Sequence, residues 1–513
     1  MRLAVTNEQM RIAEANADNS GIPFIKLMKN AGEACFSWIS RLLDGVEGKN
    51  FVVLAGRGNN GGDGIVITDL LTGAGATAIL VFVQDLPKSD CARQCYSTYE
   101  KSIKSCLYVH RKDIVRRVIE SCDAVIDCVY GTGFHGELDG NTREVFGIAN
   151  GDIPGMKISV DVPSGINSDT GEIAEGAFSP DHTIVLGAMK KGLYSHPAYE
   201  SCGNIILTDI GIPRICYESC EAVLTDDVLR EFLPERKPVS NKGNYGRLLN
   251  ISGSAFYTGA ALLSTDAALR MGVGLCTLAT PARVINAIAA AVPETTYLPL
   301  EQDFDGFIND KSVDMIMLEL EKAKYTSVLV GCGLGNRPTT RDLTEIVIKN
   351  ADHTVIIDAD GLNSISGNIN VLKDSKKSVI VTPHPAEFSR MTGKSVEEIQ
   401  RDRLSAAKEF SQKYGCVTVL KGVNTVIASP GGESFINTTG NAGLAKGGSG
   451  DVLAGMIASL AAQGAEPLYA AALGAYLHGL AADVLAGRVG MTGLLPRDIP
   501  GVLPEITNRQ KNG

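Results

Sequence analysis

The chain has 513 residues, more than a single hydrophobic core serves, and domains of roughly 100 to 250 residues make two the natural division. Hydrophobic residues at 44% and charged residues at 21% exclude a disordered or fibrous chain. The 48 Lys plus Arg against 58 Asp plus Glu give a net charge of -10 with no basic stripe, which excludes a nucleic-acid binder.

At the N-terminus, "TNEQMRIAEANADNS" places Thr6 and Gln9 at capping-box spacing ahead of a helical pattern, and no basic patch leads into an apolar core, so no export signal is read. From Asn50 to about Thr208, β-branched runs alternate with helical stretches: "FVVLA", "TAILVFV", "DAVIDCV", "KISVDV", "HTIVLG" and "NIILTDI". Strands spaced by helices predict a parallel sheet with crossover helices. The first run opens into "GRGNNGGDG", where Gly56, Gly58 and Gly61 satisfy G-x-G-x-x-G. That pattern alone is weak, because the acid that should follow about twenty residues on for a ribose hydroxyl is displaced to Asp85. Asn59, Asn60 and Asp63 add side-chain oxygens that a plain dinucleotide turn does not need. Two further strand ends carry Asp127, before "CVYGTGFHGEL", and Asp161, in "VDVPSGI". Loops beyond the carboxyl ends of such strands converge over one crevice.

After Ile212 the stretch "ESCEAVLTDDVLREFLPERKPVSNKGNYG" reads as a linker. From Arg247 the alternation restarts with "RLLNISGS", "LCTLATP", "TSVLVGCGLG", "HTVIIDADG", "SVIVTPHPAE" and "CVTVLKGVNTVIAS". It ends in Ala-rich segments over Val452 to Leu485, where Glu466, Pro467 and His478 favour buried core helices over a membrane span. In "NTTGNAGLAKGGSGDVLAG", Gly447, Gly448 and Gly450 precede a helix beginning near Asp451, so amide groups and the helix N-terminus form a pocket for negative charge. Lys446 is followed by Gly, which excludes a Walker A loop. The twelve cysteines are scattered without zinc spacing and read as reduced thiols in a cytoplasmic protein.

The "GGSGD" loop resembles that of the ribokinase-like superfamily, in which it supports phosphoryl transfer while the Asp deprotonates the accepting hydroxyl. The companions narrow the likeness. "GRGNNGGDG", "YGTGFHGEL" and "VDVPSGI", preceded by "GIPFIKLMKNAGEA", resemble the epimerase half of the NAD(P)H-hydrate repair enzymes. "KGNYGRLLNISGSAFYTGAALLSTDAALRMGVGL", "VGCGLG", "DADGLN", "TPHPAEFSRM" and "LKGVNT" resemble the dehydratase half.

The resemblance implies an α/β chain of two domains, a Rossmann-like parallel-sheet sandwich over 1–215 and a ribokinase-like domain over 225–508. It implies substrates that are NADH or NADPH hydrated on the nicotinamide ring, epimerised by the first domain and dehydrated with ADP by the second. Carried over, Asn59, Asn60, Gly61, Gly62 and Asp63 hold substrate, and Gly131, Thr132, Gly133, Phe134, His135, Gly136 and Glu137 line its phosphates and ring. Asp161 is the catalytic carboxylate, shuttling a proton and opposing positive charge, while Asn60, Asp127 and Ser164 ligate a potassium ion. In the second domain Ala260, Gly333 and His384 contact the hydrated nucleotide, Lys421, Gly422, Val423, Asn424, Thr425 and Gly450 hold ADP with magnesium, and Asp451 binds substrate and acts as base. Bacterial and archaeal members use ADP and eukaryotic ones ATP. A homo-oligomer free of nucleic acid and membrane is expected. The sequence departs from the pattern at Ala442, commonly Pro, and at Lys446, frequently a small polar residue. Two other readings fit the residues: a ribokinase-like vitamin or sugar kinase fused to a Rossmann-type domain, and a nucleotide-sensing protein without turnover.

Overall fold

The computed structural model describes residues 2–509 apart from Ser219 and Ala323. The chain divides into two units, Arg2–Glu221 and Ala222 onward.

The first unit contains β1 (Arg2–Val5), β2 (Asn50–Ala55), β3 (Thr77–Phe82), β4 (Lys104–Leu107), β5 (Ala124–Cys128), β6 (Met156–Val160), β7 (His182–Leu186), β8 (Met189–Lys190) and β9 (Asn204–Thr208). Seven of these form a parallel sheet in the order β4-β3-β2-β5-β6-β7-β9, and β1 pairs with β8 through Ala4↔Met189 and Val5↔Lys190. The winding reverses between β2 and β5, so the loops leaving their carboxyl ends diverge and open a crevice. Both faces of the sheet are covered, which is why its strands read as continuous apolar runs. Leu27, Ala31, Ile39, Val53, Ile65 and Ile126 fill one side, and Val52, Leu54, Val125 and Phe146 the other. The helix Asn7–Asn19 starts at the expected capping box: Gln9 N donates to Thr6 Oγ1 at 3.2 Å and Thr6 N to Gln9 Oε1 at 2.8 Å.

The second unit contains β10 (Glu221–Val223), β11 (Arg247–Ile251), β12 (Leu275–Pro281), β13 (Thr296–Leu300), β14 (Ser327–Val330), β15 (Thr354–Ile357), β16 (Val379–Val381), β17 (Val417–Leu420), β18 (Thr425–Ala428) and β19 (Ser434–Asn437). Their order is β13-β12-β11-β14-β15-β16-β17-β18-β19-β10. Pairing is parallel from β13 to β17 and antiparallel from β17 to β19, so the run "CVTVLKGVNTVIAS" is a hairpin rather than one strand. Pro299 sits in β13, an edge strand, where a missing amide donor is tolerated. The Ala-rich segments form the helices Ser449–Ala462 and Pro467–Gly493. The second is long and apolar enough to cross a membrane, yet 78% of its apolar window is buried inside the unit, as a core helix requires.

The linker reading needs correction. Apart from Ser219, which lies outside the described residues, much of that stretch is folded, with a strand at Glu221–Val223 and a helix at Asp227–Phe232. Leu224, Val228 and Leu229 are buried in the same core as Leu473 and Tyr476, and Phe232 stacks on Tyr469 at 3.8 Å. Its prolines and charges mark the turns between these short elements.

Candidate active sites

In the first unit, the loops after β2, β5 and β6 meet the helices Asn7–Asn19 and Phe24–Leu42 around a cavity of about 510 Å³. Asn59, Asn60, Asp63, Gly131, Thr132, Gly133 and Asp161 line it together, although their loops are separated by up to a hundred residues in sequence. Gly61 and Gly62 face the fold instead: a Cβ on Gly61 would lie 2.0 Å from the Gly56 carbonyl oxygen, and one on Gly62 would lie 2.6 Å from the Met28 sulfur. Phe134 to Glu137 also stay out of the wall. Phe134 is buried against Tyr130, His135 Nδ1 lies 3.3 Å from Asn167 Nδ2, and Glu137 is exposed.

Asp161 follows the end of β6 with φ +68, a conformation that costs a non-glycine residue free energy and aims its carboxylate at the cavity. Its Oδ1 accepts from the ammonium of Lys190, which is fully buried and also donates to the Leu186 carbonyl at 2.7 Å. Glu14 and Asp63 share the cavity. Burial, then the neighbouring Asp161 charge, pushes the Glu14 carboxyl up to about 7 and holds that of Asp63 well above the usual carboxylate range.

Behind Asn60 lies Asp127, fully buried, accepting from Ser159 Oγ at 2.9 Å, Ser164 N at 2.9 Å, Ser164 Oγ at 2.7 Å and Val129 N at 3.1 Å. All four donors are neutral, and burial outweighs them, lifting the carboxyl to about 6. Asn60 donates to the Tyr130 carbonyl at 2.8 Å, while its own Oδ1 is buried without a partner. Among the described residues no cation meets the buried Asp127 carboxylate, and with the unpartnered Asn60 amide oxygen it makes an oxygen donor set that suits a hard cation.

In the second unit, the turn after β17 begins with Lys421, whose Nζ lies 2.8 Å from Asp358 Oδ1 and 3.9 Å from Glu387 Oε2. Burial works against the ammonium, but Asp358 and Glu387 outweigh it and its pKa is raised. Thr382 Oγ1 donates to Asp358 at 2.7 Å, and Cys332, Asp358 and Asp451 place ligand atoms within 4.8 Å of one another. Burial, then Asp358, pushes the Asp451 carboxyl up to about 7. The glycine-rich loop turns at Gly448, φ +102, into the helix Ser449–Ala462, and a Cβ on Gly450 would come within 3.2 Å of Lys421 Nζ. Lys446 anchors this loop by donating to the carbonyls of Thr492, at 2.6 Å, and Leu494.

Gly333, φ +64, abuts Ala260, whose Cβ lies 2.7 Å from where a Gly333 Cβ would stand. His384 caps the helix Pro385–Thr392: its Nδ1 accepts from Ala386 N at 3.2 Å and Glu387 N at 3.3 Å. Burial and Lys421 lower its pKa, so it is a neutral, half-exposed ring bordering the cluster. In the turn, Gly422 and Thr425 hydrogen-bond each other, Val423 is exposed, and Asn424 has φ +54. Arg403, buried, donates to the carbonyls of Leu420, at 2.7 Å, and Val423, holding the turn from below.

Sequence reasoning missed Lys190, Glu14, Asp358 and Arg403. Asp358 was findable, since it ends a strand and precedes "ADG", the same signal that marks Asp127 and Asp161. The other three lack a motif.

A family model described as NAD(P)H-hydrate dehydratase matches residues 248–505, and one described as YjeF-related protein N-terminus matches residues 25–192. The bifunctional NAD(P)H-hydrate repair enzyme of Moorella thermoacetica is 34% identical over 99% of this chain and 96% of its own length. That of Escherichia coli is 34% identical over 96% and 91%. The ADP/ATP-dependent NAD(P)H-hydrate dehydratase of Bacillus subtilis, crystallised with ATP and Mg2+, is 35% identical over 56% of this chain and 98% of its own, with a TM-score of 0.50. The matches over 25–192 and 248–505, together with relatives similar over nearly their whole length, mean that the chain belongs to the bifunctional NAD(P)H-hydrate repair enzymes, which join an epimerase to a dehydratase.

Proposed function

We propose that residues 1–215, of which Met1 lies outside the described residues, carry the epimerase and residues 225–508 the ADP-dependent dehydratase. The epimerase cavity then takes hydrated NADH or NADPH. The hydrated carbon bears a hydroxyl and the ring nitrogen, so loss of water gives an iminium that water re-enters from either face. Asp161 opposes that transient positive charge. Asn59, Asn60, Asp63 and Gly131 to Gly133 hold the ring and its neighbouring atoms in the cavity. Asn60, Asp127 and Ser164 would hold a potassium ion, which would supply positive charge to the buried Asp127 carboxylate.

In the dehydratase, hydroxide is a poor leaving group; the ring hydroxyl takes the terminal phosphoryl group of ADP with AMP departing, and the nitrogen lone pair then expels inorganic phosphate. Asp451 accepts the hydroxyl proton as the oxygen attacks. The amides of Gly447 to Gly450 and the Lys421 ammonium receive phosphate charge, the turn Lys421 to Thr425 holds the nucleotide, and Ala260, Gly333 and His384 meet the hydrated nicotinamide. Asp358 would offer magnesium an oxygen ligand beside the nucleotide phosphates, whereas Cys332 is too soft a donor for it. The observation that carries this reading is the convergence of Lys421, Asp358 and Asp451 on the glycine-rich helix start. Twelve unpaired cysteines support a cytoplasmic location, and a homo-oligomer is part of the same proposal.

Mixed hydrate epimers incubated with and without ADP test it. Near-ultraviolet absorbance of reduced nicotinamide should return in full only with ADP. Net accumulation of a phosphorylated product from ATP instead would point to the vitamin- or sugar-kinase reading.

A further inference from the structure

The epimerase cavity holds three carboxylates, Glu14, Asp63 and Asp161, and one buried ammonium, Lys190. That ammonium is already committed, to Asp161 Oδ1 and the Leu186 carbonyl. Of the other cations at the cavity, Arg11 forks onto Glu8 through bonds of 3.0 and 2.6 Å, and Arg57 is exposed. Among the described residues none donates a hydrogen bond to the carboxyl of Glu14 or of Asp63. Glu14 therefore faces the cavity from the helix Asn7–Asn19 with its carboxyl free for a ligand, opposite a carboxylate that is paired.

We propose that Glu14 is the general acid and base of the epimerase, while Asp161, ion-paired to Lys190, serves as the fixed negative charge. This rests on the epimerase reading given above. The Glu14 carboxyl gives its proton to the hydroxyl of the hydrated carbon. The carbon–oxygen bond breaks, the ring-nitrogen lone pair forms the carbon–nitrogen double bond, and water departs. Water then adds from the opposite face, the π pair returns to nitrogen, and the surplus proton goes back to Glu14. No electron is gained or lost overall.

The two roles demand different surroundings, and the cavity supplies them. Asp161 already accepts from an ammonium and offers charge rather than a proton. Glu14 faces Asp161, Asp63 and Tyr217 as well as Lys190, and burial with the Asp161 charge brings it up to about 7, where one group can both give and take a proton. Asp63 is nearly inaccessible, so its carboxyl is poorly placed to reach the reacting hydroxyl.

The experiment uses the full chain without ADP and follows exchange between separated hydrate epimers across the neutral pH range, with enzyme-free exchange subtracted. Because the protonated acid starts the reaction, the wild-type rate should fall as pH rises through about 7. Glu14→Gln should lose that limb and run at least ~100-fold slower, and Glu14→Asp should keep a limb at reduced rate. ADP-dependent dehydration of the preferred epimer by the same variants reports on the other unit and should not change. A Glu14→Gln rate within roughly threefold of wild type, an unchanged pH limb in it, or a Glu14→Asp chain with no limb overturns the assignment. Absence of exchange by the wild-type chain overturns the epimerase reading itself, a result separate from those.

Discussion

Lys421, partly exposed, and the buried Asp358 meet as an ion pair at 2.8 Å, and Gly450 backs onto both. The two side chains come from different strand ends, so the pair fixes the turn after β17 against the loop after β15. Removing only the cation leaves the Asp358 charge with neutral donors, Thr382 Oγ1 at 2.7 Å and the weak Cys332 thiol at 3.8 Å. Lys421→Met should destabilise the second unit by about 3 to 5 kcal/mol, and Lys421→Met with Asp358→Asn should recover part of that loss. Urea unfolding followed by far-ultraviolet circular dichroism measures both. Equal stability of the single variant and wild type would contradict the ion pair.

The Asp451 carboxyl, raised to about 7 by burial and by Asp358, must be ionised to accept a proton. Dehydratase kcat/KM should therefore fall about tenfold per pH unit below about 7 and level off above it. The sign is opposite to that expected for epimer exchange, so one chain should yield two profiles sloping in opposite directions. Near-normal turnover by Asp451→Asn at saturating nucleotide would remove Asp451 from the role of base.

The three glycines of the G-x-G-x-x-G pattern, Gly56, Gly58 and Gly61, should not behave alike. A Cβ on Gly56 would stand 1.9 Å from the Val129 carbonyl oxygen and one on Gly61 2.0 Å from the Gly56 carbonyl, whereas Gly58 has open space and φ −93. Gly56→Ala and Gly61→Ala should each cost about 2 kcal/mol or more and abolish epimer exchange, while Gly58→Ala should stay within about 0.5 kcal/mol. Thermal melts and epimer exchange on the three variants settle the order.

Lys446 stands where relatives are expected to carry a small polar residue, and it ties the glycine-rich loop to the carbonyls of Thr492 and Leu494. Lys446→Met should raise the KM for ADP several-fold with kcat nearly preserved, because the loop loses its anchor rather than its amides. A kcat loss at unchanged KM would show the lysine acting on the reaction itself.

Strands buried on both faces were legible because their apolar runs are continuous, and the Asp-then-Gly pattern at strand ends marked Asp127 and Asp161. Strand β13 hid behind Pro299, β1 and β8 are too short to show a period, and the hairpin β17–β18 reads as one run because its turn residues "KGVN" are few. The short elements before Arg247 passed for a linker since prolines and charges outnumber their apolar contacts. Lys190 gave no signal at all: it is one of two adjacent lysines, and only the fold turns it inward while Lys191 starts a turn. The glycine pattern was the most misleading feature. Two of its members are demanded by crossing backbone, and the side chains between them line the cavity.

Because Gly56 touches the Val129 carbonyl main chain to main chain, the epimerase crevice has one wall whose position no side chain adjusts. The opposite wall is built of side chains on the helices Asn7–Asn19 and Phe24–Leu42, among them Asn7, Met10, Glu14 and Leu27. The aperture is thus set between a jaw of main chain and a jaw of helix side chains. Changes in which hydrated nucleotide the crevice accepts have to be written on the helical jaw, where a substitution alters shape without parting the sheet.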